Sequence, residues 1–340
     1  FKTQTVFSNN LIYDVNNIKV SGNIKNKLDN KKLIEAAFQK AFIIFIDKTL
    51  LDEDAKDLYK TKISIIKNLI FTYQVVNNEK KDKKNNLTIN IKFDKKKINS
   101  FLAQKKIAYA DITNISLTLL PILVKEQNIF IYTDNFFYNN WIESMDKKEM
   151  SDLNLITYNL ALENIEDLRY INDNKENLEL VDIKKINSFS NEINYAFLII
   201  YYTGDKFQAY IKTFIENKEV NKNIELQIYS DNETKSYEES ILLLKKEINQ
   251  IWKKQNLIDV SVPSFLDLYL EVNQINDYLE ISSILESIDV IENYSAIEVT
   301  SKYTKIRIKF KGKIAQIRKK LLKQKIDIQI VNNVWKLKKK

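Results

Sequence analysis

At 340 residues the chain is longer than one hydrophobic core usually organises, and 44% hydrophobic with 11% aromatic content is enough to pack two or three domains. Neither cysteine nor histidine occurs, which excludes disulfide frameworks, thiol nucleophiles, imidazole bases and zinc sites built on those ligands. The formal charge is +8, but only Arg169, Arg307 and Arg318 among the 53 basic residues are arginines, whereas proteins that grip phosphate favour the bidentate guanidinium fork.

In chain order, the first predicted element is a strand from Leu11 to Val20. A helix from about Asn30 to Lys48 follows, with Ile34, Ala37, Phe38, Ala41, Phe42 and Phe45 on one face. A second helix is expected from Asp52 to Asn68, then strands Leu69 to Val76 and Leu87 to Phe93, with polar Asn77 to Asn86 as a long hairpin loop between them. Asp94 is placed to cap a short helix carrying Ile98, Phe101 and Leu102. These elements make a first domain, 1–106.

A middle domain, 107–262, opens with strands Leu117 to Val124 and Ile129 to Tyr132 and a helix around Trp141. After a less regular stretch, strands Tyr195 to Tyr202, Phe207 to Ile215 and Ile224 to Tyr229 read as a meander, turning first at Thr203-Gly204-Asp205. A long helix closes it, striped by Tyr237, Ile241, Leu244, Ile248, Ile251 and Trp252. Pro263 marks the next boundary. Beyond it come strand Phe265 to Val272, helix Ile275 to Ile288, strands Tyr294 to Thr300 and Tyr303 to Phe310, helix Lys313 to Lys323 and strand Ile326 to Val331. That βαββαβ order is ferredoxin-like. The fold class expected is therefore α+β, with tandem small α/β sandwich domains and a ferredoxin-like domain at 263–340. Lys336 to Lys340 reads as a frayed, solvated tail.

Strand alternation sorts the last sheet into faces. Leu266, Leu268, Leu270, Ile297, Val299, Ile306, Ile308, Phe310, Ile326, Ile328 and Ile330 are expected beneath the helices. Phe265, Asp267, Tyr269, Glu271, Tyr294, Glu298, Tyr303, Lys305, Arg307 and Lys309 are expected on the open face. Tyr269, Tyr303, Lys305, Arg307 and Lys309 are the candidate interaction residues, since open faces of this topology can stack bases. Cross-strand ion pairs with Asp267, Glu271 and Glu298 are the plainer reading, and they cancel the field a phosphate needs. A protein-binding face ranks ahead of a nucleic-acid one.

Catalytic vocabulary is thin. Ser64-Ile-Ile-Lys67 and Ser144-Met-Asp-Lys147 match an S-x-x-K box and Ser230-Asp231-Asn232 an S-D-N box, but there is no K-T-G, and lysine is common enough for chance matches. Asp52-Glu53-Asp54 reads as first-turn charge on a helix, and Glu163, Glu166 and Asp167 as an exposed helical turn. Gly22, Gly204 and Gly312 stand too far apart for a phosphate-cradling loop. No apolar run approaches the roughly 18 residues of a membrane span. Trp141, Trp252 and Trp335 read as core or rim residues. No catalytic residue, cofactor or metal site is assigned.

Tyr13-Asp14-Val15, the alanines Ala36, Ala37 and Ala41, Phe71-Thr72-Tyr73-Gln74, Phe93-Asp94 ahead of Ile98, Phe101 and Leu102, and Trp141 carry a resemblance. Over residues 11–255 the chain resembles an uncharacterised proteobacterial envelope family, domain of unknown function two-zero-six-six. The resemblance implies a secreted, non-enzymatic protein and transfers no catalytic residue. The chain starts at Phe1 rather than Met, which suggests a mature form whose signal peptide has gone, or a trimmed piece. The lysine, asparagine and isoleucine surplus suggests an AT-rich bacterium. The expected function is a periplasmic or envelope-associated protein-binding or scaffolding module without cofactor, its partner another envelope protein. A cytosolic nucleic-acid-binding protein is the alternative, and a carboxylate-based hydrolase the third reading.

Overall fold

The structure, a computed structural model, describes residues 11–23, 26–81, 84–110, 114–145, 155–229, 232–258, 264–271, 275–288, 290–300, 302–312, 314–331 and 334–339. Phe1, Pro263, Lys147, Ser230 and Asp231 lie outside them. The chain is α+β and divides into two compact units, one made of residues 1–111 with 256–340 and the other of 112–255. The first and last segments of the sequence reading thus fall in one unit and share one apolar cluster. No helix among the described residues is long and apolar enough to cross a membrane.

In the first part of unit 1, β1 (Asp14–Gly22) follows a 3-10 turn at Leu11–Tyr13, so the strand starts three residues later than expected. α1 (Lys27–Thr49) buries Ala37, Phe38, Ala41, Phe42 and Phe45, the face read from its spacing, while Ile34 is half-buried against the same core. The single helix expected at 52–68 is two, α2 (Asp52–Leu58) and α3 (Ile63–Leu69). Thr61 causes the break: its hydroxyl and its N–H both donate to the Leu58 carbonyl, ending α2. β2 (Ile70–Lys81) and β3 (Lys84–Phe93) pair from end to end, so the expected hairpin loop at 77–86 is mostly ladder. Backbone pairing needs no apolar side chains, and polar composition alone does not make a loop. α4 (Lys95–Gln104) is capped by the Asp94 carboxylate, which accepts from the Lys97 N–H at 3.1 Å. The sheet order is β1-β3-β2, antiparallel throughout, and β4 (Tyr109–Ala110) follows.

Unit 2 contains β5 (Ile115–Lys125), β6 (Asn128–Ile131), α5 (Phe136–Asn140), β7 (Ile156–Leu160), α6 (Ile165–Asp173), β8 (Tyr195–Tyr202), β9 (Phe207–Ile215), β10 (Lys218–Glu225) and α7 (Glu233–Gln255). Its sheet runs β10-β9-β8-β5-β6, with β7 parallel to β5 on the β6 side. Pro121 is tolerated inside β5 because it falls between two ladders, β7 ending at Leu119 and β6 beginning at Ile122. Asn135, fully buried, bridges that gap by donating to the Pro121 and Phe130 carbonyls at 2.8 and 3.1 Å. The third meander strand was expected at 224–229 and lies at 218–225. Glu216 and Asn217, at φ 48° and 64°, turn the chain in two residues, a tight hairpin that a Glu-Asn pair does not announce. Tyr237, Ile241, Leu244, Ile248, Ile251 and Trp252 of α7 are all buried, as their stripe requires.

Unit 1 resumes with β11 (Leu257–Ile258), which pairs with β4. β12 (Ser264–Glu271), α8 (Ile275–Ser287), β13 (Ile291–Val299), β14 (Tyr303–Phe310), α9 (Ile314–Lys323) and β15 (Ile326–Val331) follow the expected order. The supposed tail is then a strand, β16 (Val334–Lys339), and the sheet order is β13-β14-β12-β16-β15. β16 is parallel to β12 and antiparallel to β15, so the first and fourth strands of the ferredoxin-like order are separated by a fifth. Trp335 and Leu337 alternate with Lys336 and Lys338; Leu337 is buried and Trp335 half-buried on the core. That period of two outweighs the lysine content.

Candidate functional site

The candidate residues lie on β12 and β14, whose antiparallel register sets Phe265 opposite Lys309, Asp267 opposite Arg307, Tyr269 opposite Lys305 and Glu271 opposite Tyr303. Opposed residues share a face, so one surface carries all five candidates. Beneath it Leu266, Leu268, Leu270, Ile306, Ile308, Phe310, Ile326 and Ile328 are buried, as alternation required. Edge strand β13 carries register shifts at Ile291/Asn293 and Ala296/Glu298. Ile297 falls in the second and is exposed instead, while Val299, opposite buried Thr304 on the helix side, is exposed at the end of that edge strand. Ile330 is exposed at the end of edge strand β15. The first of those shifts also turns Tyr294 over: it sits opposite Ile308 and donates to Glu286 of α8 at 2.7 Å, away from the open face.

Asp267 is the centre of the charge arrangement. Arg307 donates to it through Nε and Nη2 at 2.7 and 2.9 Å, and Lys305 Nζ stands 3.2 Å away. Those cations, Arg307 first, hold the Asp267 carboxyl down to about 2. The other expected partners are exchanged. Glu271 takes Lys336 at 2.8 Å, a residue placed there by β16, and Glu298 accepts from the Tyr303 hydroxyl at 2.7 Å. Lys309 and Lys311 both reach Glu292, at 3.2 and 2.8 Å, and against the opposing effect of desolvation they keep its pKa low. Tyr269 and Tyr303 lie 5.4 Å apart between ring centroids, with Lys305 Nζ 5.4 Å over Tyr269.

A shallow hollow of about 590 Å³ opens on this face, bordered by Phe265, Asp267, Tyr269, Lys305, Arg307 and Trp335. Phe265 is 61% exposed there. Tyr303 and Lys309 share the face but stand outside the hollow's lining. A second hollow of about 590 Å³, unanticipated from sequence, gathers Lys96, Lys97, Lys105, Ile65 and Phe101. Its one sequence signal is the Lys95-Lys96-Lys97 run.

The weaker motifs resolve into structural roles. Lys67 is held by Glu35 at 3.2 Å, and Ser64 is exposed. Ser144 accepts at 2.9 Å from Lys245, a buried lysine of α7 that the sequence reading missed. Lys245 also donates to the Trp141 carbonyl at 2.5 Å and lies over the Trp141 and Tyr158 rings, which closes the end of α5. Asp52, Glu53 and Asp54 occupy the first turn of α2. Asp167 is not exposed as expected but fully buried, accepting from the Asn187 N–H, the Ser188 N–H and the Ser188 hydroxyl at 2.6, 3.0 and 2.7 Å. Among the described residues no three carboxylates converge on a point that would hold a metal. No family model matches the chain, and no curated protein matches it.

Proposed function

We propose that the chain is a non-enzymatic protein-binding or scaffolding module of the cell envelope, which holds a partner protein on the uncovered face of its C-terminal sheet. The observation that carries this is the pairing of that face: Arg307, Lys305, Lys309 and Lys336 are each committed to a carboxylate of the same sheet, while Phe265 stands open among them. An aromatic anchor ringed by charges engaged in ion pairs suits a protein contact, with the anchor desolvated and the rim hydrated. The role agrees with the secreted, non-enzymatic character that the family resemblance implies. Affinity capture with the wild-type and Phe265→Asp chains tests it. A protein retained by the first and lost by the second supports the reading, and identical captures overturn it.

A second reading, nucleic-acid binding, draws on the same face, since two cations share each of Asp267 and Glu292 and leave each trio at +1. It requires affinity for RNA that falls with salt at a log–log slope of about 0.7 per phosphate contacted. A flat response removes it.

A further inference from the structure

The three-stranded sheet of unit 1 ends on β2, and every residue from Phe71 to Asn77 is exposed. Phe71 is 68% exposed, Val76 54%, Tyr73 47% and Val75 41%. Natural edge strands are ordinarily protected by charge, above all by lysine. Here lysine and arginine supply 53 of 340 residues, yet none of them, and no acid, falls between Ile70 and Asn78. Tyr73 and Val75 face the helices, being opposite buried Ile91 and Ile89, and the Tyr73 ring meets Phe38 edge-on at 5.0 Å. Thr72 and Gln74 face the other way, opposite Lys92 and Asn90.

We propose that β2 pairs antiparallel with β2 of a second copy of this chain, about a twofold axis through Gln74. Residues opposed across an antiparallel ladder share a face, so the axis passes through a residue and not between two. At Gln74 it sets Tyr73 against Val75 twice, both on the helix side, an aromatic against a β-branched partner. It also leaves four positions on either side without a charge, so no like charges meet. The register shifts of β2 lie at Ile70/Thr72 and Val75/Asn77 and leave Thr72–Val75 regular beside the axis. The four apolar side chains bring on the order of 400 Å² per copy to the contact, against ~800 Å² per partner in a standard interface. The dimer is therefore weak and concentration-dependent.

Because the chain has no cysteine, a single introduced one forms a disulfide only between copies. Gln74→Cys places the two sulfurs across the axis within disulfide reach, whereas Asn77→Cys sits six positions from its mate, about 20 Å away. The expected result is a covalent dimer from mild oxidation of Gln74→Cys and little from Asn77→Cys. Sedimentation equilibrium of the wild-type chain should show a concentration-dependent dimer that Val75→Lys removes. A wild-type chain monomeric up to high micromolar concentration, equal crosslinking at both positions, or a dimer that survives Val75→Lys each overturns the proposal.

Discussion

Replacing Asp267 by asparagine removes the one carboxylate that Arg307 and Lys305 share. The cations hold its folded-state pKa near 2, below the ordinary 3.8. A shift of that size corresponds to about 2 kcal/mol of differential stabilisation, and solvent screening at so open a site reduces it to about 1 kcal/mol. Since the folded value is depressed, the contribution is complete above the ordinary pKa and fades as the pH falls towards 2. Asp267→Asn should therefore lower the urea midpoint at neutral pH with an unchanged m-value, and the two chains should converge as the buffer is acidified. The same substitution frees two cations, so any affinity for single-stranded RNA should be higher in the variant than in the wild-type chain, with a salt slope steeper by about one contact. Equal midpoints at neutral pH, or a difference undiminished in acid, would refute the ion-pair reasoning.

Three other outcomes follow from the packing. Asp167→Ala strands two backbone N–H groups and a hydroxyl in unit 2, so urea unfolding should show a loss of about 2–4 kcal/mol; a loss below ~1 kcal/mol would mean that water replaces the carboxylate. In hydrogen exchange, the amides along Trp335 to Leu337 should be protected as part of β16, and exchange at free-coil rates would restore the tail reading. Gly204 turns β8 into β9 at φ +79° with open space where a Cβ would sit. Gly204→Ala should cost about 1 kcal/mol through backbone strain alone, and a neutral effect in thermal unfolding would contradict that.

Much of the fold was legible wherever apolar spacing ran long. The α1 face, the α7 stripe, the Asp94 cap and the β12–β14 pairing were all readable from the sequence because each depends on a local period or a single capping carboxylate. Illegible elements were those decided by one or two residues or by distant partners. Thr61 splits a helix through a side-chain bond that looks like an ordinary surface threonine, and the Glu216–Asn217 turn moves a strand by several positions. β7, five residues long, is held by its pairing with β5. The bulges of β13 reverse the faces of Asn293 to Ala296 between them without a glycine or proline to mark them. β16 was obscured by lysines, and with it the pairing of Glu271 to Lys336, so the alternation of β12 and β14 was legible while the partners of Glu271, Glu298 and Lys309 were not. Asp167 was hidden because a buried acid is recognised by the backbone that meets it, twenty residues downstream.

The most direct test of the proposed binding face is a photo-reactive phenylalanine analogue at position 265 in the full chain, crosslinked inside producing cells, with Leu180 of unit 2, 79% exposed, as the control position. A discrete protein adduct at 265, resistant to nuclease, absent at 180 and recovered from the envelope fraction, is the result expected. A nuclease-sensitive adduct, or equal labelling at both positions, would contradict the account.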